Sequence, residues 1–294
     1  MPQISQPRAE QNSTTMSKPF AFFGTPYVAR DTLAYLVEHG YRPEVVITSP
    51  DSMRGRGLAL TPCETKELAL SLGIPVLTPE KLDEGARAAI AEYGCEYGVV
   101  VAYGKILPQS LIEQFPLGLI NVHYSLLPAY RGASPVETAL RHGDTVTGVT
   151  IQKLVRELDA GDILAVLEVE IEPTETTREL RPRLVQIGAE LLVFMLPEFE
   201  AGQTIPVPQE PSLATHCGKI DKSEGELSLS GDAQTNWNTY RGLAESPGTF
   251  FYTEKNGKRI RVKIKTATFD GTNFTPDRIV PEGKNEMSYS DFIR

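Results

Sequence analysis

Cysteine is scarce: Cys63, Cys95 and Cys217 are the whole complement of three, odd in number and far apart. They offer neither a disulfide framework nor a metal-ligand spacing, so the fold rests on its core and no metal site is expected. Long apolar runs are missing too. None approaches the ~20 residues that a helix needs to span a bilayer, so a membrane-spanning helix is not expected. Met1 to Lys18 is polar and lacks the apolar core of a secretory signal. Residues 1–17 are read as a disordered extension, with Met16 an alternative start, and the cytoplasm as the compartment. The turn after the first apolar segment, Phe23-Gly24-Thr25-Pro26, carries one glycine where a dinucleotide site needs G-x-G-x-x-G to approach a pyrophosphate. A dinucleotide is therefore not expected. Basic charge is short as well, 29 Lys and Arg against 38 Asp and Glu for a net −9, which argues against a chain that coats nucleic acid over its whole surface.

What is present is ordinary globular material, 294 residues with 40% hydrophobic and 23% charged side chains, enough chain for two domains. Apolar spacing predicts strands over 20–24, 44–48, 74–77 and 97–102 and helices over 27–40, 62–72 and 82–93, with a loop over 49–61. Tyr97-Gly-Val-Val-Val-Ala102 is apolar on both faces, as a central parallel strand covered by helices must be. This alternation predicts an α/β class with a doubly wound, mostly parallel, Rossmann-like sheet. Strands over 147–154 and 162–171 and a long helix over 177–200 complete a domain of residues 18–201. Residues 202–217 are rich in proline and read as a linker. Residues 218–294 read as a small α+β unit, with a helix over 233–243, strands over 249–252 and 259–266, and a turn at Asn256-Gly257.

The acidic excess is uneven. Residues 1–204 hold 17 basic and 26 acidic side chains, whereas residues 205–294 hold 12 of each. In Lys258-Arg-Ile-Arg-Val-Lys-Ile-Lys265 apolar residues alternate with bases. As a strand, it turns Ile260, Val262 and Ile264 to a core and Arg259, Arg261, Lys263 and Lys265 to solvent. Two readings stand: a charged edge that resists aggregation, or a ridge that contacts phosphates.

The chemistry concentrates in Asn121-Val-His123-Tyr-Ser-Leu-Leu-Pro128, then Arg131-Gly132, then Leu158-Asp159-Ala-Gly161-Asp162. Asn121 and His123 end the strand starting at Gly118, two residues apart, so both side chains leave one face. Asn supplies a donor without ionising; His supplies a donor that also moves protons near neutral pH. Asp159 suits orienting the imidazole and favouring its cation. Such a set fits attack on a carbonyl whose oxygen becomes an oxyanion. The residues alone equally allow turn capping by Asn and His and turn formation by Asp159. His39, His142 and His216 have no comparable neighbours, and Asp162 reads as a turn residue.

The string N-x-H-x-S-L-L-P, then Y-R-G, then D-x-G-D resembles the signature of formyltransferases that use 10-formyltetrahydrofolate, and most of all their tRNA-formylating branch. The resemblance runs from about Phe20 to about Arg294. It implies a Rossmann-like formyltransferase domain followed by an OB-like C-terminal domain, here shortened, since residues 266–281 are too few for the expected strands. It implies 10-formyltetrahydrofolate as formyl donor and Asn121, His123 and Asp159 as the catalytic set. Tyr103, Gly104, Ile106 and Leu107 are implied as the pterin wall, and Ser125, Leu126, Leu127 and Pro128 as folate contacts. Tyr124 and Ala129 depart from the family pattern beside that segment. The Arg54-Gly-Arg56-Gly segment resembles the branch's tRNA-reaching loop, although Leu58 and Ala59 replace its usual basic residues. With Arg259, Arg261, Lys263 and Lys265, it implies charged methionyl-initiator tRNA as partner to a monomer. An amino sugar nucleotide is the alternative acceptor. A non-catalytic folate-binding relative would need a vestigial triad, and all three residues are intact.

Overall fold

The computed structural model describes residues 17–54, 59–255 and 257–294. The chain opens with β1 (Phe20–Gly24), α1 (Tyr27–Glu38) and β2 (Val45–Ile47), which pairs parallel to β1. Next comes a hairpin of β3 (Ser52–Arg54) and β4 (Ala59–Thr61), where the sequence predicted only a loop. Its signal is weak because Met53 and Leu60 stay 62% and 67% exposed, so no buried face imposes alternation. Residues 55–58, with Arg56 and Leu58, lie outside the described residues, as do residues 1–16 and Asn256. Then follow α2 (Glu64–Ser71), β5 (Val76–Leu77), α3 (Glu84–Ala91), β6 (Tyr97–Val101), α4 (Gln109–Ile112) and β7 (Gly118–His123). After β8 (Arg131–Gly132) and α5 (Pro135–His142), the long strands β9 (Val146–Lys153) and β10 (Ile163–Glu170) lead into α6 (Thr177–Glu200).

Seven of these strands form one sheet in the order β10-β9-β7-β6-β1-β2-β5. The five from β7 to β5 run parallel, while β9 runs antiparallel to both β7 and β10. Every residue of β1 and β6 is buried, as expected when helices cover both faces of a sheet. The two faces sort by alternate residues. Phe20, Phe22, Val99, Ile120 and Val122 pack with Leu33 and Leu36 of α1 and Leu184 and Leu192 of α6. Ala21, Phe23, Val100 and Leu119 pack with Ile90 of α3 and Leu111 of α4. Helix α6 starts at a reciprocal cap, in which Thr176 and Glu179 satisfy each other's first-turn donors.

Residues 202–217 run back along the sheet's edge. Val207 and Ile163 exchange backbone hydrogen bonds of 2.8 Å, and β11 (His216–Cys217) pairs parallel with β8. Beyond lie α7 (Ala233–Gly242), β12 (Phe250–Lys255), β13 (Lys258–Phe269), β14 (Phe274–Pro281), β15 (Met287–Ser288) and α8 (Tyr289–Phe292). The last four strands make one antiparallel sheet in the order β12-β13-β14-β15. Residues 266–281, read as too short for more strands, hold the end of β13 and all of β14. They do so by a tight reversal in which Asp270 Oδ1 accepts from Thr272 N at 2.9 Å and Asn273 N at 2.7 Å. On β13 the alternation follows the pattern in part, with Val262 fully buried and Ile264 6% exposed while Arg259, Lys263 and Lys265 are exposed; Arg261, expected in solvent, is half-buried. Helix α7 is tied to the segment that leads into α6: buried Arg241 donates to the carbonyls of Glu175 and Glu172 at 3.3 and 3.5 Å. Among the described residues no helix is long and apolar enough to cross a membrane.

Candidate active site

Register builds the site. Asn121 of β7 lies opposite Gln152 of β9, and His123 opposite Thr150. Directly opposed residues of an antiparallel pair share a face, so these four polar side chains form one patch. It continues the face on which Leu119 joins the apolar cluster of α3 and α4. Thr150 serves the backbone: its Oγ1 donates to Ser125 O at 2.7 Å and accepts from Leu127 N at 3.1 Å, fixing the segment after β7.

The turn between β9 and β10 brings Asp159 onto this patch. Asp159 takes a left-handed backbone, φ +50°, which Asp tolerates better than most residues. Its Oδ1 accepts from Gln152 Nε2 at 2.9 Å and lies 3.5 Å from Asn121 Nδ2; its Oδ2 accepts from Gly132 N at 2.8 Å and sits 3.7 Å from His123 Nδ1. The carboxylate is thus fixed by two firm hydrogen bonds and faces the imidazole without bonding to it. Two glycines make this approach possible. A Cβ on Gly132, φ +126°, would stand 2.0 Å from Cys217 O, and one on Gly161 would stand 1.7 Å from Lys153 O. Asp162 has a different part, its carbonyl accepting from Lys153 N at 2.9 Å.

His123 is buried, with Nε2 2.9 Å from Tyr130 O. A carbonyl oxygen only accepts, so Nε2 carries a proton, and in the neutral ring Nδ1 is bare and turned to Asp159. Burial pushes the imidazole below its ordinary pKa, against the opposing pull of the Asp159 charge and the Tyr130 carbonyl. Tyr130 supplies that carbonyl from a left-handed conformation, φ +58°, held by its N–H to Thr215 Oγ1 at 2.8 Å and its hydroxyl to Asp144 Oδ2 at 2.6 Å.

The residues read as a pterin wall divide. Tyr103 and Leu107 are buried in the apolar cluster with Phe23, whereas Ile106 is 89% exposed and Gly104 turns the loop at φ +80°. The Tyr103 hydroxyl is buried without a hydrogen-bond partner among the described residues, and burial pushes its pKa up to about 12. Ser125 is fully buried and donates to Ala129 O at 2.6 Å; Leu127 is buried, and Leu126 and Pro128 are half-buried. Arg259 and Arg261 stack over Tyr252 and Phe250, 3.9 and 3.6 Å from the ring centroids. The backbone of Arg54 closes β3 opposite Ala59.

The sequence reading did not single out Gln152, Thr150 or Gln209. Gln152 was findable once β7 and β9 were paired in register. Gln209, in a stretch read as linker, donates to Asp159 O at 2.9 Å and Gly161 O at 2.7 Å and accepts from Arg131. No sequence pattern marks it.

Residues 19–196 match the family described as formyl transferase. Proteins named methionyl-tRNA formyltransferase from Syntrophus aciditrophicus and Koribacter versatilis are 42% and 39% identical to this chain, across 93% and 90% of it and 94% and 84% of their own length. Among solved structures, an N-formyltransferase from Helicobacter canadensis in complex with folinic acid and dTDP-3-aminofucose superposes with a TM-score of 0.66 at 18% identity, covering 86% of this chain and 90% of that one. Methionyl-tRNA formyltransferase from Clostridium thermocellum gives 0.60 at 17% identity, over 90% and 98%. These two share the fold. Fold and relatives define the class first: an α/β enzyme that transfers formyl groups. The chain belongs to the formyl transferase family.

Proposed function

We propose that this enzyme transfers the formyl group of 10-formyltetrahydrofolate to the amino group of methionyl-initiator tRNA, in the cytoplasm and as a monomer. The observation that carries the chemistry is the meeting of Asn121, His123 and Asp159 at one point of the sheet. Proteins named methionyl-tRNA formyltransferase match over 93% and 90% of the chain, which supports tRNA as acceptor. The folate supplies an amide-like formyl carbonyl on N10. The buried, unpartnered hydroxyl of Tyr103 beside apolar Leu107 suits the polar edge of a flat heterocycle, and residues 125–128 would flank it.

The chain's own part follows from protonation. A neutral His123 with bare Nδ1 stands beside the Asp159 carboxylate, so two acceptors 3.7 Å apart await an attacking amine. His123 takes the proton at Nδ1 as the amine adds to the formyl carbon, and Asp159 balances the imidazolium so formed. Asn121 Nδ2, held among the described residues by a 3.5 Å contact, is available to the developing oxyanion, which the imidazolium charge also stabilises. The proton then passes to N10 as its bond to carbon breaks. Arg259, Arg261, Lys263 and Lys265, together with Arg54 and Arg56, are proposed to hold the tRNA backbone.

The test is formyl transfer from 10-formyltetrahydrofolate to charged initiator tRNA and, in parallel, to amino sugar nucleotides. Transfer to tRNA alone is expected, and transfer to the sugars alone would refute the acceptor. Asn121→Ala, His123→Ala and Asp159→Ala should each lose on the order of 10²-fold or more in kcat while folded. Near-normal rates in all three would refute the site.

A further inference from the structure

The Asp159 turn is held by a residue from outside the sheet. Gln209 sits half-buried in the stretch between the two sheets. Its Nε2 lies 2.9 Å from Asp159 O, 2.7 Å from Gly161 O and 3.3 Å from Gln152 Oε1. Its Oε1 lies 3.1 Å from Arg131 Nε and 2.7 Å from Arg131 Nη2. Arginine can only donate and carbonyls can only accept, so the orientation of the amide is fixed by its partners. Both hydrogens and both lone pairs of one primary amide are in use. Through them, three segments that make the site are fastened together: the strand before α5 at Arg131-Gly132, the end of β9 at Gln152, and the left-handed turn at Asp159.

We propose that Gln209 is a positioning residue for catalysis, acting through the backbone of Asp159 to hold its carboxylate against His123. Among the described residues its hydrogen bonds go to Arg131, Gln152, Asp159 and Gly161, not to Asn121 or His123. Gln152 works beside it, donating from Nε2 to Asp159 Oδ1 at 2.9 Å. A left-handed residue at the tip of a turn has no sheet ladder of its own to keep it in place. Gln152 and Gly132 hold the two carboxylate oxygens, Gln209 holds the backbone that carries them, and Gly132 is itself fixed by β8 pairing with β11 just downstream of Gln209. The segment joining the two sheets therefore closes the catalytic site as well as spanning it.

The inference rests on the reading of Asp159 given above, and the experiment separates the two. Gln209→Glu is nearly isosteric and keeps the partner of Arg131, but sets a carboxylate against two carbonyl oxygens. It is expected to lower kcat roughly 10²-fold, since about 1 Å of misplacement carries that cost, with KM for folate and tRNA changed less than about threefold. The double variant Gln209→Glu/Asp159→Asn should be no slower than Asp159→Asn alone, because the two changes remove the same function. A wild-type kcat for Gln209→Glu, or a double variant slower by the product of the single losses, overturns the inference. If Gln209→Glu does not fold, Gln209→Met, which lacks donor and acceptor alike, takes its place in the same cycle. A wild-type kcat for Asp159→Asn would sink the reading of the site itself, whatever Gln209 does.

Discussion

His123 is where burial, charge and proton inventory meet. Its ring is buried, so the charged form is disfavoured, while the Asp159 carboxylate pulls the other way and loses. The consequence has a definite sign. An unfolded histidine titrates near 6.5, and this one titrates lower when folded. Its contribution to stability is therefore whole above pH 6.5 and shrinks as the pH falls through the folded value, because the unfolded chain takes the proton first. Nuclear magnetic resonance of the imidazole should give a midpoint below 6.5 in the wild type. In Asp159→Asn the midpoint should fall further, since the carboxylate is the chief influence raising it. A wild-type midpoint at or above 6.5 would contradict the proposal that His123 waits as a neutral base. The residue scale also shows what a sequence can reveal. Asn121 and His123 were legible because strand periodicity puts them on one face. The bare Nδ1 was not, since it depends on the Tyr130 carbonyl, turned inward by a positive φ.

At the scale of elements, what was legible is what one face of a core imposes. Gly118–His123 and Thr177–Glu200 form over their predicted spans, the first as a short apolar run buried on both faces of the sheet and the second as a long helix closing the domain. The exposed β3–β4 hairpin escaped for want of such a face, whereas β14 escaped although Ile279 is buried, because Pro276 and Pro281 mask its strand pattern and its pairing depends on the Asp270 turn. Joints between elements escaped as well. Arg181 of α6 reaches Glu137 of α5 on one side and Glu245, beyond α7, on the other. Glu245 in turn accepts from Tyr27 of α1 at 2.9 Å and pushes that phenol up to about 12, after burial itself. The arginine side chain is only 18% exposed and its partners 15% and 28%, so removing it strands two shielded carboxylates. Arg181→Met should cost about 3 kcal/mol by urea denaturation at neutral pH. Much of that loss should be recovered in Arg181→Met/Glu137→Gln, which removes one stranded charge. A single variant within about 0.5 kcal/mol of the wild type would show that the joint lies elsewhere.

For the molecule as a whole, the question is how a chain of net charge −9 would engage the tRNA proposed as its acceptor. The acidic excess lies wholly in residues 1–204, and residues 205–294 are balanced. The strand β13 turns Arg259, Lys263 and Lys265 outward, and the guanidinium carbons of Arg259 and Arg261 sit over the rings of Tyr252 and Phe250, which pre-orders both groups. Arg259 also lies 3.6 Å from Glu226, an exposed pair that phosphate can displace at little cost. The acidic balance of residues 1–204 would repel a nucleic acid laid across the first sheet. A tRNA approaching from the second sheet meets the cations first. Binding should then weaken steeply with salt, because each phosphate neutralised releases counterions. Lys263→Ala and Lys265→Ala should each reduce the slope of log affinity against log salt by roughly 0.7 to 0.9, with kcat at saturating tRNA unchanged. Formylation of a small amine acceptor, which has no phosphates to hold, should be indifferent to both substitutions. If the slopes match the wild type while the small-acceptor rate falls, the stripe serves the stability of the second sheet and the tRNA is held elsewhere.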